Sequence, residues 1–205
     1  MSQFSRNLGF TLAELVVSIS IVSIIMAILV WNQSAYNDIS SLTNLADDIS
    51  LTVSQAQVYG IGIREFSPGT QEFGAAYGLA FSLLPSDSNT AYIYFANLGV
   101  DEIYSDNWTC PIGLPSECLQ KFNITRGNII QSICSIDTSN ATDCTVGRTD
   151  FTFARPNIAA NIKFFNMSGN LYTPVNNKGV EIRLRSPKGQ NRSVVVYKTG
   201  QVSVQ

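Results

Sequence analysis

Glu14 is the only charge in a run of 22 residues from Phe10 to Trp31. An isolated carboxylate in hydrocarbon takes up a proton or finds a cation. A lone Glu near one end of an apolar run is therefore a functional candidate. Gly9, a small residue suited to a peptidase, stands just before the run. An ordinary secretory signal is cut after its apolar core. A cut at Gly9 would instead leave the apolar segment on the mature chain, with Phe10 as the new amino terminus.

The remaining chemistry is sparse. The chain has no His, so the commonest general base, the commonest metal ligand and the usual triads are missing. Cys110, Cys118, Cys134 and Cys144 are spaced C-x7-C and C-x9-C, unlike the C-x2-C pairs of zinc sites. An even count beyond the apolar run fits two disulfides in an oxidising compartment. Of three possible pairings, the local one, Cys110 with Cys118 and Cys134 with Cys144, is expected because both pairs bracket turn-rich segments. Asp101, Glu102 and Asp106 lack the ligand ladder of a calcium loop and read as a solvated loop. No nucleophile–base set is visible, so no enzyme activity, cofactor or metal is expected. Thirteen Lys and Arg against 15 Asp and Glu leave a formal net charge of −2, which argues against a large nucleic-acid face. Lys188, Arg192 and Lys198, with Arg183 and Arg185 one strand earlier, form a modest cationic group that could contact phosphate. A solvated strand face is the favoured reading.

These residues need elements to position them. The apolar run is long enough to cross a bilayer core of roughly 30 Å. Beyond it Ile39, Leu42, Leu45, Ile49, Val53 and Ala56 recur every three or four residues, opposite Asn37, Asp38, Asn44, Asp47, Asp48, Gln55 and Gln57. This predicts one helix from Phe10 to Tyr59, stopped by Gly60 and Gly62. The patch Asn32-Gln33-Ser34 marks the change of environment and is a candidate bend or local melting point. After Gly62 the pattern is of short strands and turns. Residues 76–83 and 91–96 predict a hairpin around Pro85 to Asn89. Residues 98–150, rich in Asn, Ser, Thr and Gly, read as a disulfide-braced insertion. Residues 151–154, 162–167, 180–185 and 193–197 predict further strands. In 180–185, Val180, Ile182 and Leu184 face one side and Glu181, Arg183 and Arg185 the other. Pro187-Lys188-Gly189-Gln190 turns that strand into the next, and Thr199-Gly200 makes the last bend. The expected fold class is α+β: a long stem helix packed on an antiparallel sheet head. The divisions are a leader 1–9, an apolar helix 10–31, an amphipathic half 32–60 and a head 61–205.

The run Gly9-Phe10-Thr11-Leu12-Ala13-Glu14-Leu15 resembles the start of the type IV pilin and pseudopilin family. The resemblance implies a prepilin peptidase cutting between Gly9 and Phe10 on the cytoplasmic side, and N-methylation of Phe10. Glu14 would be the fifth residue of the mature chain, pairing with a neighbouring subunit's terminal amine. It also implies a subunit held in membrane lipid by its stem, head outside the cytoplasm. An inner-membrane assembly platform would then pack it with other subunits into a periplasmic pseudopilus or a cell-surface pilus. The carboxyl-terminal pattern, Phe-x-Phe, an alternating strand, Ser-Pro-Lys-Gly-Gln-Asn-Arg and Val-Val-Val-Tyr-Lys-Thr-Gly-Gln-Val-Ser-Val, resembles GspH/FimT-type minor pseudopilins and pilins. Some of these bind DNA through a Gly-Arg-x-Arg element. The corresponding Gly200-Gln201-Val202-Ser203 has neither arginine, which makes nucleic acid the lesser reading. From another class, the rival is a single-span, membrane-anchored binding domain that never polymerises.

Overall fold

The computed structural model describes residues 10–62, 74–97, 99, 101–111 and 116–205. Helix α1, Leu12–Ile61, has 50 residues and so extends about 75 Å. It stays helical through residues 32–34, so the polar patch marks a change of environment without melting the helix. Asn and Ser each cost only about 0.5 kcal/mol in a helix interior, too little to break a long, already nucleated helix.

The second half of α1 buries Leu42, Ala46, Ile49, Val53 and Ala56, at alternating spacings of four and three. Ile39, at the start of the expected stripe, remains 41% exposed, short of the head. The helix ends where Gly62 N–H donates to Val58 O at 2.9 Å. Gly60 lies inside the helix and does not stop it. A Cβ there would sit 2.1 Å from the carbonyl oxygen of Phe153. Glycine is what lets the stem touch the sheet backbone.

The strands are β1 (Ala76–Ser82), β2 (Ala91–Asn97), β3 (Cys118–Asn123), β4 (Ile129–Asp137), β5 (Thr142–Ala154), β6 (Asn157–Asn166), β7 (Leu171–Tyr172), β8 (Asn177–Arg185), β9 (Asn191–Tyr197) and β10 (Val202–Val204). They pair antiparallel in the order β10-β9-β8-β4-β5-β1-β2-β3, with β6 also on β5 and β7 on β6. Strand β5 joins the two halves. Val146 has Ile133 of β4 on one side and Asn166 of β6 on the other. Further on, Thr152 lies between Gly78 of β1 and Asn161 of β6. Strands β4 and β1 therefore follow one another along one edge of β5, while β6 runs along the opposite edge.

This corrects the expectation that residues 98–150 form an insertion. Their second half supplies β4 and most of β5, the middle of the sheet. Two features hid them. Register shifts at Ile130/Ser132 and Ile133/Ser135 break the period-two pattern of β4. In β5 the buried residues include polar Thr149, Asp150 and Thr152. The expected hairpin is present as β1 and β2, in the register Phe81↔Tyr92. Val180, Ile182 and Leu184 of β8 are fully buried, while Glu181 and Arg183 are half-buried and Arg185 is exposed.

Every residue of β1 and β2 is buried because their sheet is covered on both faces. Tyr77, Leu79, Phe81, Tyr92, Tyr94, Phe151 and Phe153 join the core beneath the stem. Ala80, Ile93 and Phe95 point the other way and pack with Tyr104 and Trp108 in a second, smaller core. Gly60→Ala is expected to destabilise the head by about 1–3 kcal/mol through overpacking against Phe153. Gly74→Ala, where a Cβ would meet nothing within 4 Å, should stay within about 0.5 kcal/mol. Chemical unfolding of the two variants compares them.

Candidate functional site

The start of α1 is built by Thr11 and Glu14. Thr11 is extended (φ −77°, ψ 150°) and caps the helix. Its Oγ1 accepts from the Glu14 N–H at 3.2 Å. In return Glu14 Oε2 accepts from the Thr11 N–H at 3.0 Å and from Thr11 Oγ1 at 2.8 Å. This is a reciprocal capping box, satisfying two backbone donors that a helix start leaves without partners. A carboxylate in the first turn also suits the positive end of the helix dipole. The signal was present in the sequence as Thr11-x-x-Glu14, and the reading of Glu14 as a pairing residue passed over it. Both bonds fall on Oε2, and a carboxylate has a second oxygen with which to accept from another donor.

Phe10, the expected new terminus, is 83% exposed beside this cap. Gly9, the expected cut site, lies outside the described residues. Above the box the helix is apolar and exposed on every side from Leu12 to Val30, and this segment is long and apolar enough to cross a membrane. Its serines are prepared for an apolar medium: the hydroxyls of Ser18, Ser20 and Ser23 donate to the carbonyls of Glu14, Val16 and Ile19 at 2.7–2.8 Å.

In the head, the polar groups brace the fold. Asp150 is completely buried. It accepts from Arg148 through both oxygens, at 2.9 and 2.5 Å, and from the Tyr104 N–H at 3.0 Å. Arg148 also donates to the Tyr104 carbonyl at 2.6 Å, and its guanidinium lies 5.0 Å from the centre of the Phe165 ring. Burial pushes the Asp150 carboxyl up, against the pull of Arg148 and the Tyr104 N–H. Burial likewise pushes Glu117 up, with Asp106 and Asp101 adding to it against the Ser105 N–H. Glu117 accepts from Asn97 Nδ2 at 2.9 Å and from the Ser105 N–H at 2.8 Å. These bonds clamp residues 101–111 over the second core.

The sequence-derived candidates separate accordingly. Asp101 accepts from Asn97, Asp106 from Ser116 and the Glu117 N–H, and Glu102 faces Asn161 and Lys163. No cluster of three potential metal ligands occurs among the described residues. Disulfides join Cys110 to Cys118 and Cys134 to Cys144. The first ties the 101–111 segment to the start of β3, and the second links β4 to β5. Lys188 and Lys198 do not converge: they flank the two ends of β9. Arg192 lies near the Lys188 end and reaches Thr43 of the stem at 3.5 Å.

Arg148→Met should destabilise the head by about 3–5 kcal/mol, because it leaves the Asp150 carboxyl buried without its cation. The double variant Arg148→Met/Asp150→Leu should recover much of that loss, which a double-mutant cycle of unfolding free energies reads. Thr11→Ala should cost the helix start about 1 kcal/mol, and Thr11→Ser much less. Amide exchange at Glu14 and Leu15 should speed up about fivefold in the Ala variant.

Comparison with known proteins adds one finding at this end of the chain. Residues 4–30 match the prokaryotic N-terminal methylation motif. No curated protein and no solved structure matches the chain. The match covers Phe10, the capping box and the apolar span, and the structure continues them into a stem helix on a sheet head. The chain thus opens on the prokaryotic N-terminal methylation motif and continues it into a stem helix on a sheet head, which supports a type IV pilin-like subunit.

Proposed function

We propose that the protein is a minor structural subunit of a type IV pilus or type II secretion pseudopilus, not an enzyme. A prepilin peptidase cuts after Gly9, and Phe10 becomes an N-methylated terminus. The stem stores the subunit in the cytoplasmic membrane with the head outside. An inner-membrane assembly platform then transfers it into a filament, in the periplasm or at the cell surface. The observation that carries this reading is the segment Leu12–Val30: apolar all round, exposed throughout, and continuous with a helix half that is seated on the head. Such a surface suits lipid before assembly and the stems of neighbouring subunits after it.

Glu14 supplies the register. In an apolar bundle its carboxylate seeks a cation, and the amine of a neighbouring Phe10 is one. A charge-assisted bond of this kind is worth about 1.5–3 kcal/mol. Cleavage at Gly9 spares the capping box, since Thr11 keeps its own N–H. The cap holds one carboxylate oxygen on the first turn and leaves the other to face the neighbour.

The test separates charge from capping. Glu14→Gln retains an oxygen that can accept from Thr11, because Glu and Gln both serve a capping box, but it loses the charge. Sheared filaments should fall about tenfold or more in Glu14→Gln, while Thr11→Ala should still assemble. Mass spectrometry of wild-type filaments should find subunits beginning at methylated Phe10. An intact Met1 in cells that contain the peptidase would leave a membrane-anchored domain that never polymerises.

A further inference from the structure

The end of the head nearest the membrane half of the stem is fixed by three contacts. Ser186 Oγ donates to Asp38 at 2.5 Å, Asn128 Nδ2 to Ser41 Oγ at 3.0 Å, and Arg192 Nε to Thr43 Oγ1 at 3.5 Å. The other end is fixed by Gly60 against Phe153 and Gln57 against Gly200. The β3–β4 turn and the β8–β9 turn therefore face down the stem. They are neighbours, since a Cβ at Gly127 would sit 2.8 Å from Pro187 Cγ.

This end is cationic in an otherwise acidic chain. Arg126, Arg185, Lys188 and Arg192 are all exposed there. Carboxylates near this end include Asp38, Asp87 and, on the stem, Asp48, which lines one cavity with Arg126; Gln205, the last residue, lines another with Arg192. Asp38 accepts from Ser186, and Asp87 from Ser82 and Ser86. Asp101, Glu102, Asp106 and Glu117 lie between β2 and β3, beyond the ends of those strands that point away from the membrane half of the stem. The whole chain carries −2, while four cations stand exposed where the stem leaves the head.

The helix sets the height of this face. Val30 ends the apolar segment, and Asp38 lies eight residues later, about 12 Å along the axis. A headgroup layer takes up roughly 5–7 Å of that distance. The remaining gap is within reach of Arg and Lys side chains, whose stems extend while their charged heads seek phosphate. Met167 and Pro85, both exposed, lie on the same end beside Arg185.

We propose that this basic end docks on anionic phospholipid headgroups while the stem is in the bilayer. The docking would hold the helix upright and fix the rotation of the head before assembly. It rests on the reading that Leu12–Val30 lies in lipid. Each Lys or Arg close to an anionic surface adds about fivefold to binding, so four give a strong but salt-sensitive contact.

The test uses the full chain, one copy per lipid nanodisc. Co-purification with the disc reads insertion of the stem separately from docking. Hydrogen exchange of residues 124–128 and 186–190 should be several-fold slower in discs containing phosphatidylglycerol than in phosphatidylcholine discs. Raising NaCl to about 0.5 M should abolish the difference. The 137–141 turn, at the far end, should exchange equally in both. The variant Arg126→Gln/Arg185→Gln/Lys188→Gln/Arg192→Gln should lose the difference while the 137–141 turn is unchanged, showing that the head is still folded. Equal exchange of the wild type in the two lipids would overturn the proposal. So would protection by duplex DNA in phosphatidylcholine discs exceeding that by anionic lipid, which would assign the face to nucleic acid.

Discussion

An apolar helix surface with nothing packed on it governs the rest of this molecule. Fourteen large hydrophobic residues from Phe10 to Val30 are more than half exposed. At about 1.5–3 kcal/mol for each side chain removed from water, burying them is worth on the order of tens of kcal/mol. A carboxylate carried into the membrane with them costs about 3 kcal/mol at the centre of a span and less near its end. The apolar term wins by a wide margin, so Glu14 goes where the stem goes.

The head is organised around a different difficulty. A sheet covered by the stem on one face and by a loop on the other must fill both with groups that pack. The stem side does so with Tyr77, Leu79, Phe81, Phe151 and Phe153. On the far side Ala80, Ile93 and Phe95 are joined by an ion pair, Arg148 with Asp150, which holds Tyr104 through its N–H and its carbonyl. A buried pair of this sort contributes little net stability against a hydrophobic alternative. Here it is directional: it seats the 101–111 segment in one place, and the Cys110–Cys118 disulfide ties the end of that segment to β3.

The uneven legibility of the sequence follows from these two arrangements. The stem was readable because its environment changes the residue types abruptly and its second half has an uninterrupted helical period. The β1–β2 hairpin and β8 were readable because their buried residues are apolar. The middle of the sheet was not. Strand β4 slips register three times, and β5 places Thr149, Asp150 and Thr152 where a reader expects apolar side chains. At the first residues a second role of the same side chain was legible. Thr11-x-x-Glu14 was legible as a capping box, yet a charge beside an apolar run drew attention to what lies outside the chain and away from what it does within it.

The role proposed for Glu14 between subunits is compatible with its observed capping role, and the cap would prepare it. A Glu side chain at the mouth of a helix has several rotamers, and freezing them for a partner costs up to about 1.5–2 kcal/mol of entropy. The bonds from Thr11 N–H and Oγ1 already fix Oε2 in the isolated chain. On the proposed assembly, an arriving subunit meets a carboxylate whose direction is set, and only its own terminus remains to be ordered. The serines above it are likewise satisfied within their own helix and make no competing demand on that amine. On that proposal the stagger is a property of the first turn of each stem, and the head is free to vary without disturbing the register beneath it.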